Sequence, residues 1–358
     1  MFRVFISAAS LEKLCLEEMW KDQNKQNSWF LLLSKQNIIY LDKNIYDEWE
    51  YSDALFTFSE SYQIDFQHST INYNTLAKES PETLLDEPQG AFLLDIDKET
   101  AKSIQEKYGI ICQSTEGLNE CPLSSNECKF SLFRNMNNHS WKELFEKGAK
   151  VPSNALIIVD RYIFGWENKL KSGYIDGVEN IKQIMKAVLP ATLSCDYHVL
   201  ILFDSSSSTD RYFELQKVAQ QLEKYKTQVL KRPYNIIIEL FSVTYKCANY
   251  DDTHNRKIIS NYFIGSAEHL LKAFKNDGKA ICNQDLRIEF AYSHGLVDYS
   301  DSAISSINHF LKQFHEMHEK GVYEYENATE KASEYVVMCG TNTSSTVHDI
   351  QNRLILQK

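Results

Sequence analysis

At 358 residues the chain is long enough for two domains, or one large one, with a real hydrophobic core. Hydrophobic residues at 43%, charged at 24% and aromatic at 12% exclude long disorder and describe an ordinary folded chain. A net charge of −11 excludes a generally basic nucleic-acid coat but leaves room for a local basic site.

The start, Met1 to Ser7, is too briefly apolar for a signal peptide, and no apolar run reaches the length of roughly 18 residues that suggests a membrane span. The expectation is a cytoplasmic protein. Phe2, Val4 and Ile6 alternate as one face of a strand. Residues 10–21 read as a helix, with Ser10 as N-cap and Leu11, Leu14, Cys15 and Trp20 on one face. Trp29–Ser34 and Ile38–Asp42 read as two strands, with Asn37 at the hairpin turn between them. Phe92–Ile96 reads as a strand and Asp97 as the cap of a helix carrying Ala101, Ile104 and Tyr108. Gly109 ends that helix and Ile110–Cys112 resumes a strand. Residues 114–154 lose periodicity, which sets a domain boundary near 150.

The second half is more regular. Ala155–Asp160, Val199–Phe203, Ile236–Phe241 and Ile258–Ile264 read as four strands. Two amphipathic helices fall between the first three, carrying Val178 to Leu189, stopped by Pro190, and Tyr212 to Tyr225. A long helix follows, with Ile304, Ile307, Leu311 and Phe314 inward and His315, Glu316 and His318 on its polar face. Strands alternating with helices predict a sheet with crossover helices. The division is an N-terminal α/β interaction or regulatory domain over 1–145 and a second α/β domain over 150–358.

Chemistry concentrates in one stretch, His254-x-Arg256-x-x-x-x-Asn261, followed by Gly265-Ser266. Side chains two apart on a strand share a face, so His254 and Arg256 converge on one anion. Arginine makes a fixed fork for phosphate oxygens. A histidine nucleophile would need its imidazole neutral and oriented. Asn261 can hydrogen-bond the imidazole or a phosphate oxygen, but it cannot raise histidine basicity as a carboxylate would. Asp160, Arg161 and Tyr162 end the first strand of the second domain, where open α/β sheets bind ligands. With Lys257 and Ser266 they are the phosphate-binding candidates.

This pattern resembles the phospholipase D superfamily motif, H-x-K-x-x-x-x-D followed by G-S, over residues 155–270. It is closest to the branch with arginine for lysine, which includes the C-terminal domain of proteins carrying a microtubule-interacting-and-trafficking module. The resemblance implies a mixed sheet with flanking helices. Active members pair two motifs, and this chain carries one, so it implies binding without turnover or pairing in a homodimer.

Three functions stay open. The leading one is a non-catalytic, phosphate- or nucleic-acid-recognising adaptor within a larger protein complex, on the analogy of bacterial antiviral defence systems. The second is a homodimeric, metal-independent phosphodiesterase or nuclease using His254. The third is a peripheral protein of anionic membranes. No cofactor or metal is expected. The eight cysteines are scattered without a C-x-x-C pair, as reduced thiols are. His315 and His318 read as a surface pair and Ser205–Ser208 as a loop. Asp42, Asp95 and Asp97 lie at strand ends as in PIN-type nucleases, but Ser7 stands where that family places its first aspartate.

Overall fold

The computed structural model describes residues 2–16, 28–34, 36, 38–42, 53–118, 128–148, 151–164, 173–204, 211–243, 256–290, 303–320, 336–344 and 346–356. Their strands form two sheets. The first is parallel throughout, in the order β3-β2-β1-β4-β5, built from β1 (Arg3–Ile6), β2 (Ile38–Leu41), β3 (Asp65–His68), β4 (Gly90–Leu94) and β5 (Ile111–Ser114). Helices α1 (Ala8–Leu16), α2 (Ser28–Leu33) and α3 (Asp53–Tyr62) put Leu11, Leu14, Trp29, Leu32 and Phe58 against Val4, Ile6 and Leu93 on one face. Helices α4 (Tyr73–Glu79) and α5 (Lys98–Tyr108) put Tyr73, Ala77 and Ile104 against Phe5, Phe92 and Leu94 on the other.

Two local expectations are corrected here. Residues 28–33 form a helix and not a strand, because Trp29, Leu32 and Leu33 fall at helical spacing on one buried face. β2 therefore pairs parallel to β1, and no hairpin joins it to the preceding segment; Asn37 lies outside the described residues. The first helix is capped by Ser7, not Ser10: Ser7 Oγ accepts the Ser10 N–H at 3.1 Å, and the Ser7 carbonyl accepts the Leu11 N–H. Trp20 lies outside the described residues. Asp97 caps α5 as expected, accepting from Thr100 N–H at 2.8 Å, and Gly109 ends it with φ of 63°.

The second sheet is mixed, in the order β14-β13-β9-β8-β7-β10-β11-β12-β6. β7 (Ala155–Val159), α7 (Gly173–Val188), β8 (Tyr197–Asp204), α8 (Arg211–Tyr225) and β9 (Ile236–Val243) form the expected parallel crossover units. On the far side of β7 lie β10 (Lys257–Ser260), β11 (Phe263–Ala267), β12 (Gln284–Phe290) and β6 (Cys128–Leu132), each antiparallel to its neighbour. With α6 (Trp141–Gly148), β6 belongs to this sheet, so the sheet reaches back past the expected break near 150. The polar composition of 114–154 hid a short edge strand. α9 (Ala303–Lys320) crosses one face, and β13 (Val336–Cys339) and β14 (Asn342–Ser344) close the other end.

The fourth expected strand, 258–264, is broken in two. β10 and β11 fold back on each other around Asn261 and Tyr262, so that Ile259 faces Ile264 and Lys257 faces Ser266. That turn is where the sheets meet. Tyr262 OH donates to the Gly90 carbonyl at 2.7 Å and accepts the Ile111 N–H at 3.0 Å, at the first residues of β4 and β5. The two sheets thus abut through their amino edges, and one apolar core runs through both.

Candidate phosphate site at the carboxyl edge of the second sheet

Because β7, β8 and β9 are parallel, their carboxyl ends share one edge, and antiparallel β10 begins there. Open α/β sheets hold ligands at such edges. Asp160 follows β7 and is fully buried. Its Oδ1 accepts the Tyr162 N–H at 2.8 Å and its Oδ2 the Leu271 N–H at 2.7 Å. Burial pushes its carboxyl pKa up, against those two N–H groups and the positive charges of Arg256 and Lys272. Arg161 is buried beside it, its guanidinium 5.2 Å from the ring centroid of exposed Tyr162. Arg256 stands before β10, half-buried, with Nη1 donating to the Glu268 carbonyl at 3.4 Å and its own carbonyl accepting the Ala267 N–H.

The edge therefore brings together four of the sequence candidates, Asp160, Arg161, Tyr162 and Arg256. It adds Lys272, a buried lysine that sequence reading missed. Lys272 sits in an irregular segment between β11 and β12, where no periodicity marks it. Its one signal is a lone charge inside the apolar run Leu270–Phe274.

The other candidates lie elsewhere. Strand alternation turns Lys257 to the opposite face from Arg256, where its Nζ lies 5.9 Å from the Phe310 ring centroid on α9. Ser266 faces Lys257 across the hairpin and is exposed. Asn261 is at the far end of β10, five residues from Arg256, or about 16 Å along an extended strand. It is fully buried. Its Oδ1 accepts the N–H groups of Asn154 (2.9 Å) and Ala155 (3.1 Å). Its amide donates to the Pro88 carbonyl (2.6 Å) and to Asn154 Oδ1 (3.0 Å). Both lone pairs and both protons are in use, so the side chain is a strut between the sheets and has nothing left for an anion at Arg256. His254 lies outside the described residues.

The carboxyl edge of the first sheet is also polar, and most of its side chains have structural tasks. Asp42 accepts the Ala8 N–H at 2.8 Å and Asn74 Nδ2 at 2.7 Å. Asn74 in turn accepts the Asp95 N–H. Asp97 holds Thr100, whose hydrogen bonds push its carboxyl pKa below the usual range. Ser7, Ser10 and Thr115 form a hydroxyl chain ending on the Leu94 carbonyl. Among the described residues no three His, Cys, Asp or Glu side chains gather as metal ligands would.

Glu239 accepts the Gln351 N–H inside the sheet. His315 and His318 are half-buried, not a surface pair: His315 Nδ1 bonds the Ile355 carbonyl at 3.1 Å, and His318 packs edge-on against His348. Cys15, Cys112, Cys128, Cys195, Cys282 and Cys339 are free thiols, and burial pushes those of Cys15 and Cys112 up to about 12. Residues 205–208, with Cys121 and Cys247, lie outside the described residues.

The protein is a mixed α/β protein of two sheets, one parallel and one mixed, and no described helix is long and apolar enough to cross a membrane. No protein-family model matches the chain, and no curated protein matches it.

Proposed function

We propose that the second sheet is a phospholipase D-like domain that recognises phosphate without cleaving it, as an adaptor subunit in a larger, nucleic-acid-handling cytoplasmic complex. The motif His254-x-Arg256-x-x-x-x-Asn261 and the strand order leading to it support the likeness. The observation that carries the binding reading is the gathering of Arg256 and Lys272 at Asp160, on the ligand-binding edge of a chain whose net charge is −11. Asp160 holds the backbone N–H groups of Tyr162 and Leu271, which fixes the shape of this edge, and Arg256 and Lys272 add positive charge beside it. Asn261 supports binding over turnover, since its amide is consumed about 16 Å from Arg256.

The test is binding of a fluorescent single-stranded oligonucleotide, followed by anisotropy from low to high salt. Salt-sensitive binding is expected, weakened roughly tenfold by Arg256→Ala, the size of one charge-assisted contact. Binding that Arg256→Ala leaves unchanged refutes the assignment. Metal-independent cleavage that disappears in His254→Ala would replace it with the homodimeric phosphodiesterase. Retention on anionic but not neutral vesicles, with no oligonucleotide bound, would replace it with a membrane-surface protein.

A further inference from the structure

The last described segment, Thr346–Leu356, is an irregular strap laid across the second sheet. Val347, Ile350, Leu354 and Ile355 are buried beneath it. Polar contacts fix it at several points. Asn352 Nδ2 donates to the Leu156 carbonyl of β7 at 3.1 Å, and Arg353 Nη2 to the Asp196 carbonyl at 3.3 Å. The Ile355 carbonyl meets His315 on α9, and the Asp349 carbonyl accepts from Cys339 Sγ on β13. At the centre is Glu239 of β9, fully buried, whose Oε1 accepts the Gln351 N–H and which also holds the Asn352 N–H. Its Oε2 is buried with no hydrogen-bond partner.

A carboxyl group buried in this way has two unlike states. Protonated, it carries no charge, and burial costs it only an unmet hydroxyl. Ionised, it carries a charge that only the two strap N–H groups answer, and water reaches it only if the strap lifts. We propose that Glu239 is a proton-controlled latch, and that loss of its proton favours lifting of the strap Thr346–Leu356 from the sheet.

The surroundings fit that assignment. Burial pushes the Glu239 carboxyl up to about 7, with the two backbone N–H groups opposing. The facing strand offers Cys339, opposite Glu239 in register, whose thiol is pushed up to about 11 by burial and then by Glu239 and Asp349. Neighbouring β8 offers His198, kept neutral by burial down to about 4. The strap brings His348, Asp349 and Arg353, and α9 brings His315 and His318. Arg353 is engaged with the Asp196 carbonyl, so no described cation is bonded to the Glu239 carboxylate.

Hydrogen exchange of the strap amides tests the latch on the whole chain. With the closed strap titrating near 7 and an open one near 4.5, the opening constant rises about tenfold between pH 6 and pH 8, beyond the rise in intrinsic exchange. Glu239→Gln keeps an acceptor for the two N–H groups and cannot ionise, so this extra rise is expected to vanish in it. A native strap with no extra rise overturns the latch, and so does an extra rise that survives in Glu239→Gln. A carboxyl carbon NMR titration of the native protein is the second measurement: a Glu239 that loses its proton near 4.5 also refutes it.

Discussion

Asn261 makes the strongest residue-scale prediction, because the sequence and the structure give it different work. The sequence reading set it beside His254 and Arg256 by motif spacing alone. That spacing is real, but the reading took 258–264 as one strand, and the turn at Asn261 and Tyr262 sends the asparagine to the other end of the sheet. A two-residue turn flanked by Ile258-Ile259 and Phe263-Ile264 carries no glycine to announce it. Asn261→Asp restores the family's acidic residue, yet it removes both donors and sets a charge against the Pro88 and Asn154 oxygens. Loss of about 3 kcal/mol of stability in urea unfolding is expected, with no gain of phosphodiesterase activity. Gained cleavage with unchanged stability would put Asn261 back in the active site. The place of Asp160, Arg161 and Tyr162 was legible, because a charge that ends a buried strand marks its carboxyl end, whereas Arg256, ahead of β10, was marked only by the motif. Lys272 was not legible, since its place depends on the path of an irregular segment.

Elements were most legible where a local device marks their ends. α5 has a cap at Asp97, an inward face and a glycine stop, and its bounds follow from the residues alone. Gly109 there does two things. Its φ of 63° suits glycine, and an added Cβ would lie 2.3 Å from the Ser153 carbonyl oxygen, on the segment entering β7. Gly109→Ala is expected to cost about 2 kcal/mol, and Gly109→Asn serves to separate the causes. Asparagine tolerates the left-handed backbone but still meets Ser153, so thermal unfolding should show both variants destabilised; a native-like Gly109→Asn would assign the whole cost to backbone strain. α2 was misread because six residues hold too few turns to separate period 3.6 from a short apolar run. β6 was missed because only its ends, Cys128 and Leu132, are fully buried.

At the scale of the whole molecule, two buried groups oppose each other as the pH changes. Glu239 keeps its proton to about pH 7 in the fold but releases it near 4.5 when unfolded. Its contribution is therefore full below 4.5 and is lost as pH rises through 7. His198 stays neutral in the fold to about pH 4, whereas unfolded it takes a proton near 6.5. Its contribution is present above 6.5 and is lost as pH falls through 4. Between 4.5 and 6.5 the two slopes cancel. His198→Gln should expose the glutamate term, with urea-unfolding stability falling by about 1.4 kcal/mol per pH unit across that window; a flat profile in this variant rejects the pairing. The parallel crossover order of β7, β8 and β9 was readable from alternating strands and helices. The meeting of the two sheets was not, because it depends on Tyr262, whose neighbours Gly90 and Ile111 are more than 150 positions away in the chain. That meeting sets how force passes through the protein. Tyr262 grips β4 and β5, while Asn261 next to it grips the start of β7. The hairpin tip works as a rivet between the sheets, beside the bonds that Asn154 Nδ2 makes to the Tyr108 carbonyl and the Ser194 N–H to the Lys107 carbonyl. The sheets meet at their amino edges, so a load hung on one carboxyl edge pulls against a load hung on the other across that junction.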